Sequence, residues 1–169
     1  MEVYDAVRTV LAVRSYKDKA VPADAVRKII EAGRLTASSM NRQPWHFIVV
    51  EERGMLKQLG AAAPTGPYIA QAPAAVAVAV EKKSKFGVSD ASRAIQSMIL
   101  TAWSEGVGSN WVGFGGLEAA GTLLGVPEDF EVLAIVPLGY PTEQKGRGKK
   151  KRKALAEVAH RGRFGQPFA

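Results

Sequence analysis

The longest apolar run in the chain, Ala72-Pro73-Ala74-Ala75-Val76-Ala77-Val78-Ala79-Val80, stops abruptly at Glu81-Lys82-Lys83. It falls far short of the roughly 18 residues that cross a bilayer, so no membrane association is expected. Valine alternating with alanine behind Pro73 reads as a strand over Ala74–Val80. Two further strands follow from the same signals: Trp45 to Glu51, rich in aromatic and β-branched residues, and Val132 to Leu138, closed by Gly139-Tyr140-Pro141.

Between these strands the spacing of apolar residues changes to that of helices. Val3, Ala6, Val7, Val10 and Leu11 predict an amphipathic helix from about Glu2 to Val13. Pro22 and Asp24 open a second, with Val26, Ile29, Ile30 and Gly33 on one face. Met55, Leu56 and Leu59 suggest a short helix, whereas Ala61 to Ala72, with Pro64, Gly66 and Pro67, reads as irregular loop. The longest helix is expected over Ser89 to Glu105, with Asp90 in its first turn favoured by the helix dipole. After it, Ser109 to Gly116 reads as a strand that becomes a glycine-rich turn, then a short helix runs from Leu117 to Leu124 and ends at Gly125. A brief helix is expected around Leu155 and Val158. Helices interleaved with about four strands imply an α+β or α/β sandwich, and 169 residues without an evident linker suit a single domain over 1–169.

Composition excludes several chemistries. Without cysteine the chain forms no disulfide, thiolate metal site or cysteine nucleophile. His46 and His160 are too few for an expected histidine zinc site, and His46, inside a strand, reads as a structural residue. Neither a Gly-x-Ser-x-Gly elbow nor a phosphate-binding Gly-x-x-x-x-Gly-Lys-Ser/Thr loop is present. The opening Met1-Glu2-Val3-Tyr4-Asp5 has no basic-then-apolar leader pattern, so the cytoplasm is the expected compartment. The net charge of +7 is concentrated in a basic C-terminal arm of about residues 142–169, where Lys145 to Lys153 holds seven basic residues and no acidic one. That cluster suits a solvated arm, a nucleic-acid contact or a small phosphate ligand. It carries no aromatic residue for base stacking, and nucleic acid is not the expected partner.

One loop has the composition of a ligand cradle. Ser38, Ser39, Asn41 and Gln43 crowd hydroxyls and amides immediately before the Pro44-Trp45 step into a strand; on composition alone such groups more often close a turn, but they can also hold a polar planar ligand. A borrowed cofactor accounts for redox chemistry in a chain with so few acid, base or nucleophile candidates. FMN would ask for cations at its phosphate, hydroxyls and amides along its ribityl chain and pyrimidine edge, and a backbone donor near N5. Arg14 and the Lys149–Arg152 run, the Ser38–Gln43 loop and the Gly113–Gly116 turn are of those types.

The same stretches resemble the FMN-dependent nitroreductase family. The opening signature is carried by Arg14-Ser15-Tyr16, Val21-Pro22 and Ser38-Ser39-Met40-Asn41-Arg42-Gln43-Pro44-Trp45. Asp90-x-x-x-Ala94-x-Gln96, Glu105-Gly106-Val107-Gly108-Ser109-x-Trp111 and Val136-Pro137-Leu138-Gly139-Tyr140-Pro141 are similar to later family segments. The resemblance implies an α+β three-layer sandwich whose mixed, mostly antiparallel sheet of about four to five strands is flanked by helices. It further implies a homodimer in which NAD(P)H reduces FMN, which then reduces a nitroaromatic, quinone or similar acceptor by a ping-pong mechanism, with protons from solvent. FMN is the flavin implied, ahead of a deazaflavin or FAD. By the same resemblance Arg14, Lys150 and Arg152 grip the phosphate, Gly113 and Phe114 meet the flavin near N5, and Ser38, Ser39 and Asn41, with Gln43 beside them, reach the flavin held mainly by the other subunit. Where the family has Arg-Arg-Ser this chain has Val10-Leu11-Ala12, leaving the phosphate more dependent on the C-terminal cations. The rival readings are an interaction or nucleic-acid-binding module using the basic arm, and a non-reductase member of the same flavin fold.

Overall fold

The structure is a computed structural model describing residues 1–113, 115–143 and 150–168. Its helices are α1 (Val3–Thr9), α2 (Ala23–Arg34), α3 (Arg53–Ala62), α4 (Gly87–Ser104), α5 (Glu118–Leu123) and α6 (Leu155–Val158). The strands are β1 (Trp45–Val50), β2 (Ala74–Glu81), β3 (Gly108–Ser109), β4 (Val112–Gly113) and β5 (Phe130–Gly139).

Strand β2 is central because its sequence lets it be buried on both faces. It pairs antiparallel with β1 (Trp45 opposite Val80) and with β5 (Val76 opposite Val136), and β3 and β4 add antiparallel pairs to β5. Val76, Val78 and Val80 face one way and pack with Val26 and Ile29 of α2 and Ala94, Ile95 and Met98 of α4. Ala75 and Ala77 face the other way, toward Leu56 and Leu59 of α3 and Ala120 of α5. Each fully buried Leu or Ile in these layers contributes about 1.5–3 kcal/mol relative to exposure. The result is an α+β three-layer sandwich with the sheet in the middle. The named strands pair only antiparallel, and the mixed character is confined to one parallel bridge between Ala12 and Ser109.

Three local expectations change. Helix α1 ends at Thr9, not Val13, because the next residues are drawn onto the sheet: Val10 turns extended (φ −56°, ψ 132°) and the Val13 N–H donates to Ser109 O at 2.9 Å. Its inward side is Ala6 and Thr9, the latter receiving the Trp103 indole N–H at 2.9 Å, while Val3, Tyr4 and Val7 face outward. The stretch 61–72 is more regular than its prolines and glycine suggest: α3 continues to Ala62, and Pro67 opens a 3₁₀ turn over Pro67–Gln71, a place where its missing N–H is no loss. His46 is exposed rather than enclosed, because its strand lies at the sheet edge, with its ring edge-on to Phe130 at 4.9 Å. No helix among the described residues is long and apolar enough to cross a membrane.

Candidate functional site

The first group of predicted residues lies along the N-terminal segment. Residues 12–16 run beside β3 and the end of β5, fixed by the Ala12–Ser109 and Tyr16–Pro141 bridges and by the Thr142 N–H donating to Ser15 O at 3.2 Å. Tyr16 is the buried peg of this segment: its hydroxyl donates to Val13 O at 2.6 Å, and burial pushes the phenol above its ordinary pKa. Arg14, two residues before it, is exposed and makes no ion pair among the described residues. Lys150 lies instead against α1, its Nζ donating to Val7 O at 2.7 Å. Burial, and then the neighbouring Arg152 charge, lower the Lys150 pKa. Arg152, exposed, donates to Lys151 O at 3.0 Å. A lysine whose charge is disfavoured beside an arginine, with no carboxylate paired to either among the described residues, is a setting that favours an added anion.

The second group is the loop between α2 and β1. Ser38 Oγ accepts the Gln43 N–H at 2.9 Å, the Gln43 side-chain amide donates to Asn41 O at 3.1 Å, and the Ser39 N–H donates to Asp90 Oδ2 at 3.0 Å. Met40, Asn41 and Gln43 have positive φ of 51°, 54° and 51°. Non-glycine residues rarely adopt that region, and three within four residues mark a strained backbone. Sequence composition announced the polar groups of this loop but not its left-handed turns.

These two groups are anchored at opposite ends of α4. The loop is tied to α4 at Asp90, whereas the N-terminal segment is tied to α4 at Trp103 through Thr9; thirteen residues of helix separate the two anchors by about 20 Å.

Gly113 is buried in β4, opposite Ala134. A side chain there would meet Trp111 Nε1 at 2.5 Å and Leu133 O at 3.0 Å, so the bare backbone serves packing between β4 and β5. Phe114 lies outside the described residues, as do residues 144–149 of the basic arm. The next two glycines, Gly115 and Gly116, are exposed with φ of 87° and 72°; they supply the open backbone that the glycine-rich turn promises. A cleft of about 690 Å³ opens beside Gly115, floored by Trp111, Leu117, Phe130 and Leu133. Arg14, the Ser38–Gln43 loop, Lys150 and Arg152 all stand outside it.

Sequence reasoning missed Asp90 as part of this arrangement. Its position one and two turns before Ala94 and Met98, on the buried side of α4, was the available signal: a carboxylate in an apolar row needs donors. The described residues contain no cluster of three or more carboxylates and histidines arranged to hold a metal.

Comparison with known proteins places the chain by both sequence and fold. The model of the nitroreductase family matches residues 8–86 and 60–140, spanning most of the chain. A candidate NADH dehydrogenase/NAD(P)H nitroreductase of Methanothermobacter thermautotrophicus is 36% identical over 154 residues, covering 86% of this chain and 81% of the relative. An FMN-dependent nitroreductase of Clostridium difficile superposes with a TM-score of 0.86 at 26% identity, covering 95% of this chain and 99% of that one. A candidate nitroreductase of Desulfovibrio desulfuricans, solved in complex with FMN, superposes with a TM-score of 0.81 at 28% identity over 97% and 98% of the two chains. With the family model spanning most of the chain and a relative 36% identical over 86% of it, the chain belongs to the nitroreductase family.

Proposed function

We propose that this chain is an FMN-dependent oxidoreductase that takes electrons from NAD(P)H and passes them to a nitroaromatic, quinone or similar acceptor in ping-pong alternation, working in the cytoplasm as a homodimer of single-domain subunits. The observation that carries the reading is the division of one cofactor's donor set between two ends of α4. Arg14, Lys150 and Arg152 suit a phosphate: they are cationic and unpaired with carboxylates among the described residues, and the Lys150 charge is disfavoured by burial and by the neighbouring Arg152. Ser38, Ser39, Asn41 and Gln43 suit a ribityl chain or pyrimidine edge, and with the two groups anchored about 20 Å apart along α4, a second copy would bring its loop to each phosphate site. The outward Val3, Tyr4 and Val7 of α1 give that copy an apolar surface to cover.

When bound, FMN supplies a carrier that accepts a hydride and releases two electrons to an acceptor. The protein's share is to bind and orient. Arg14, Lys150 and Arg152 fix the phosphate end, the loop of the second copy fixes the polar edge, and the exposed backbone at Gly115 and Gly116 lets the ring lie close to main-chain amides. The absence of Arg-Arg-Ser at Val10-Leu11-Ala12 shifts the phosphate load to the C-terminal cations; at ~1.5–3 kcal/mol per hydrogen bond to a charged group, a lost arginine weakens binding without abolishing it. The test is the absorption spectrum of the purified protein with added FMN. Flavin bands that co-purify or bind, and that bleach anaerobically on adding NADH or NADPH before any acceptor is present, support the proposal. A protein that binds no flavin would overturn it.

A further inference from the structure

Helix α4 is apolar where it meets the sheet, yet a polar stripe descends it through Asp90, Arg93 and Ser97, at i, i+3 and i+7 spacing that lines residues along one side. The chain between α2 and β1 hangs from this stripe at two points. Thr36 Oγ1 donates to Ser97 Oγ at 2.8 Å, and the Ser39 N–H donates to Asp90 Oδ2 at 3.0 Å. Asp90 is only 1% exposed, and its other oxygen accepts from the Arg93 guanidinium.

A carboxylate buried this deeply is retained only when donors occupy its oxygens. Asp90 is therefore held between a helix neighbour and a loop amide. Directly beyond that amide come the left-handed Met40 and Asn41, with Gln43 two residues later. Left-handed non-glycine backbone persists where its surroundings over-determine it, and Met40, 71% exposed, has little packing of its own to do so. The restraint comes from the flanking hydrogen bonds, at Ser38 on one side and at Asp90 through Ser39 on the other.

We infer that Asp90 is a positioning residue for the cofactor: its carboxylate holds the Ser39 amide, and through it keeps Met40 to Gln43 in the strained conformation that presents the loop's hydroxyl and amide groups. The inference rests on the reading of this loop as a flavin contact given under the proposed function. The experiment is FMN titration of the purified full chain, followed by flavin fluorescence, with circular dichroism to report folding. Asp90→Ala is expected to weaken FMN binding by roughly tenfold or more, and Asp90→Asn, which keeps an oxygen able to accept the Ser39 N–H, to recover most of that loss.

Ser39→Pro tests the same bond from its other end. It deletes the N–H at a place where Ser38 is already extended (φ −127°, ψ 158°), as the residue before a proline must be. Its effect should not add to that of Asp90→Ala, since both remove one hydrogen bond. An Asp90→Ala chain that binds FMN within about twofold of the unaltered protein, or effects that add fully, would overturn the inference. If Asp90→Ala does not fold, Ser39→Pro is compared with Ser39→Ala, which loses the hydroxyl but keeps the N–H; equal affinities overturn it, and weaker binding by the proline variant upholds it. An unaltered protein that binds no FMN overturns the flavin reading and this inference together, whereas normal binding by the unaltered protein and by Asp90→Ala alike overturns this inference alone.

Discussion

The segment carrying Arg14 and the loop carrying Ser38 to Gln43 stand at opposite ends of the same helix and are stabilised in opposite ways. The first is extended chain laid against β3 and β5, pinned by backbone bonds and by the buried Tyr16, with its cations turned outward. The second has unfavourable backbone angles at Met40, Asn41 and Gln43, with its restraint turned inward to Asp90. Charge is cheap to leave exposed in water but binds only where an anion arrives; strained backbone is costly at all times but arrives already shaped. One end supplies attraction and the other supplies geometry.

The largest expected effect tests the attractive end. Replacing Arg14 and Arg152 together with alanine should weaken FMN binding by roughly a hundredfold or more, at ~1.5–3 kcal/mol for each charged contact. Unchanged affinity measured by equilibrium dialysis would break the phosphate assignment. Mixing that double variant with Asn41→Pro then tests whether the two ends belong to different copies. Proline cannot adopt the φ of 54° at Asn41, so each variant alone should be nearly inactive in NAD(P)H oxidation. After the two are unfolded and refolded together, random pairing should restore about a quarter of the wild-type sites, because each mixed dimer contains one intact pair of half-sites. No recovery would mean that both ends serve one flavin within a chain.

Gly113→Ala probes the sheet between them. With Leu133 O and Trp111 Nε1 in the space a methyl needs, it should cost about 1–3 kcal/mol of stability in a denaturant melt. A neutral result would mean that β4 can move away from β5. The smallest effect is expected from Tyr16→Phe, about 1 kcal/mol for the hydrogen bond to Val13 O. Its pH dependence sharpens the comparison further. Because burial raises the Tyr16 pKa above 10.0 in the folded state, its stabilisation is complete below pH 10.0 and declines as pH rises beyond it. The phenylalanine variant should lose that alkaline decline, and the Arg14 end should therefore loosen with base while the Asp90 end does not follow Tyr16.

Much of the sheet was legible because its strands carry their own boundaries. The apolar run from Ala74 to Val80 ends at Glu81, the last residue of β2, and Pro22 and Gly125 punctuate helices at the places where the chain turns. Helix α1 was overdrawn for a reason no local pattern contains: Val10 to Val13 continue a helical spacing, but Ser109, almost a hundred residues later, offers them a backbone partner. The site divides in the same manner. Ser38, Ser39, Asn41 and Gln43 advertise hydrogen-bonding capacity by composition, and the basic run advertises anion affinity by charge. The strain at Met40, the burial of Asp90 and the return of Lys150 to Val7 depend on contacts between distant parts of the chain. Asp90 itself reads locally as a residue that suits a helix N-terminus; its larger role appears only when the loop is folded beside it.

Helix α4 has one more consequence. It is a stiff rod whose first turn holds the strained loop and whose last turns hold, through Trp103 and Thr9, the stretch leading to Arg14. In the proposed two-fold pair, the loop end of one rod would attend one flavin while its other end would attend the second, so each rod would be a strut shared by two sites. A shift of the strut that tightens one site is transmitted to the other, and successive FMN additions are expected to bind with unequal affinity rather than as two independent events.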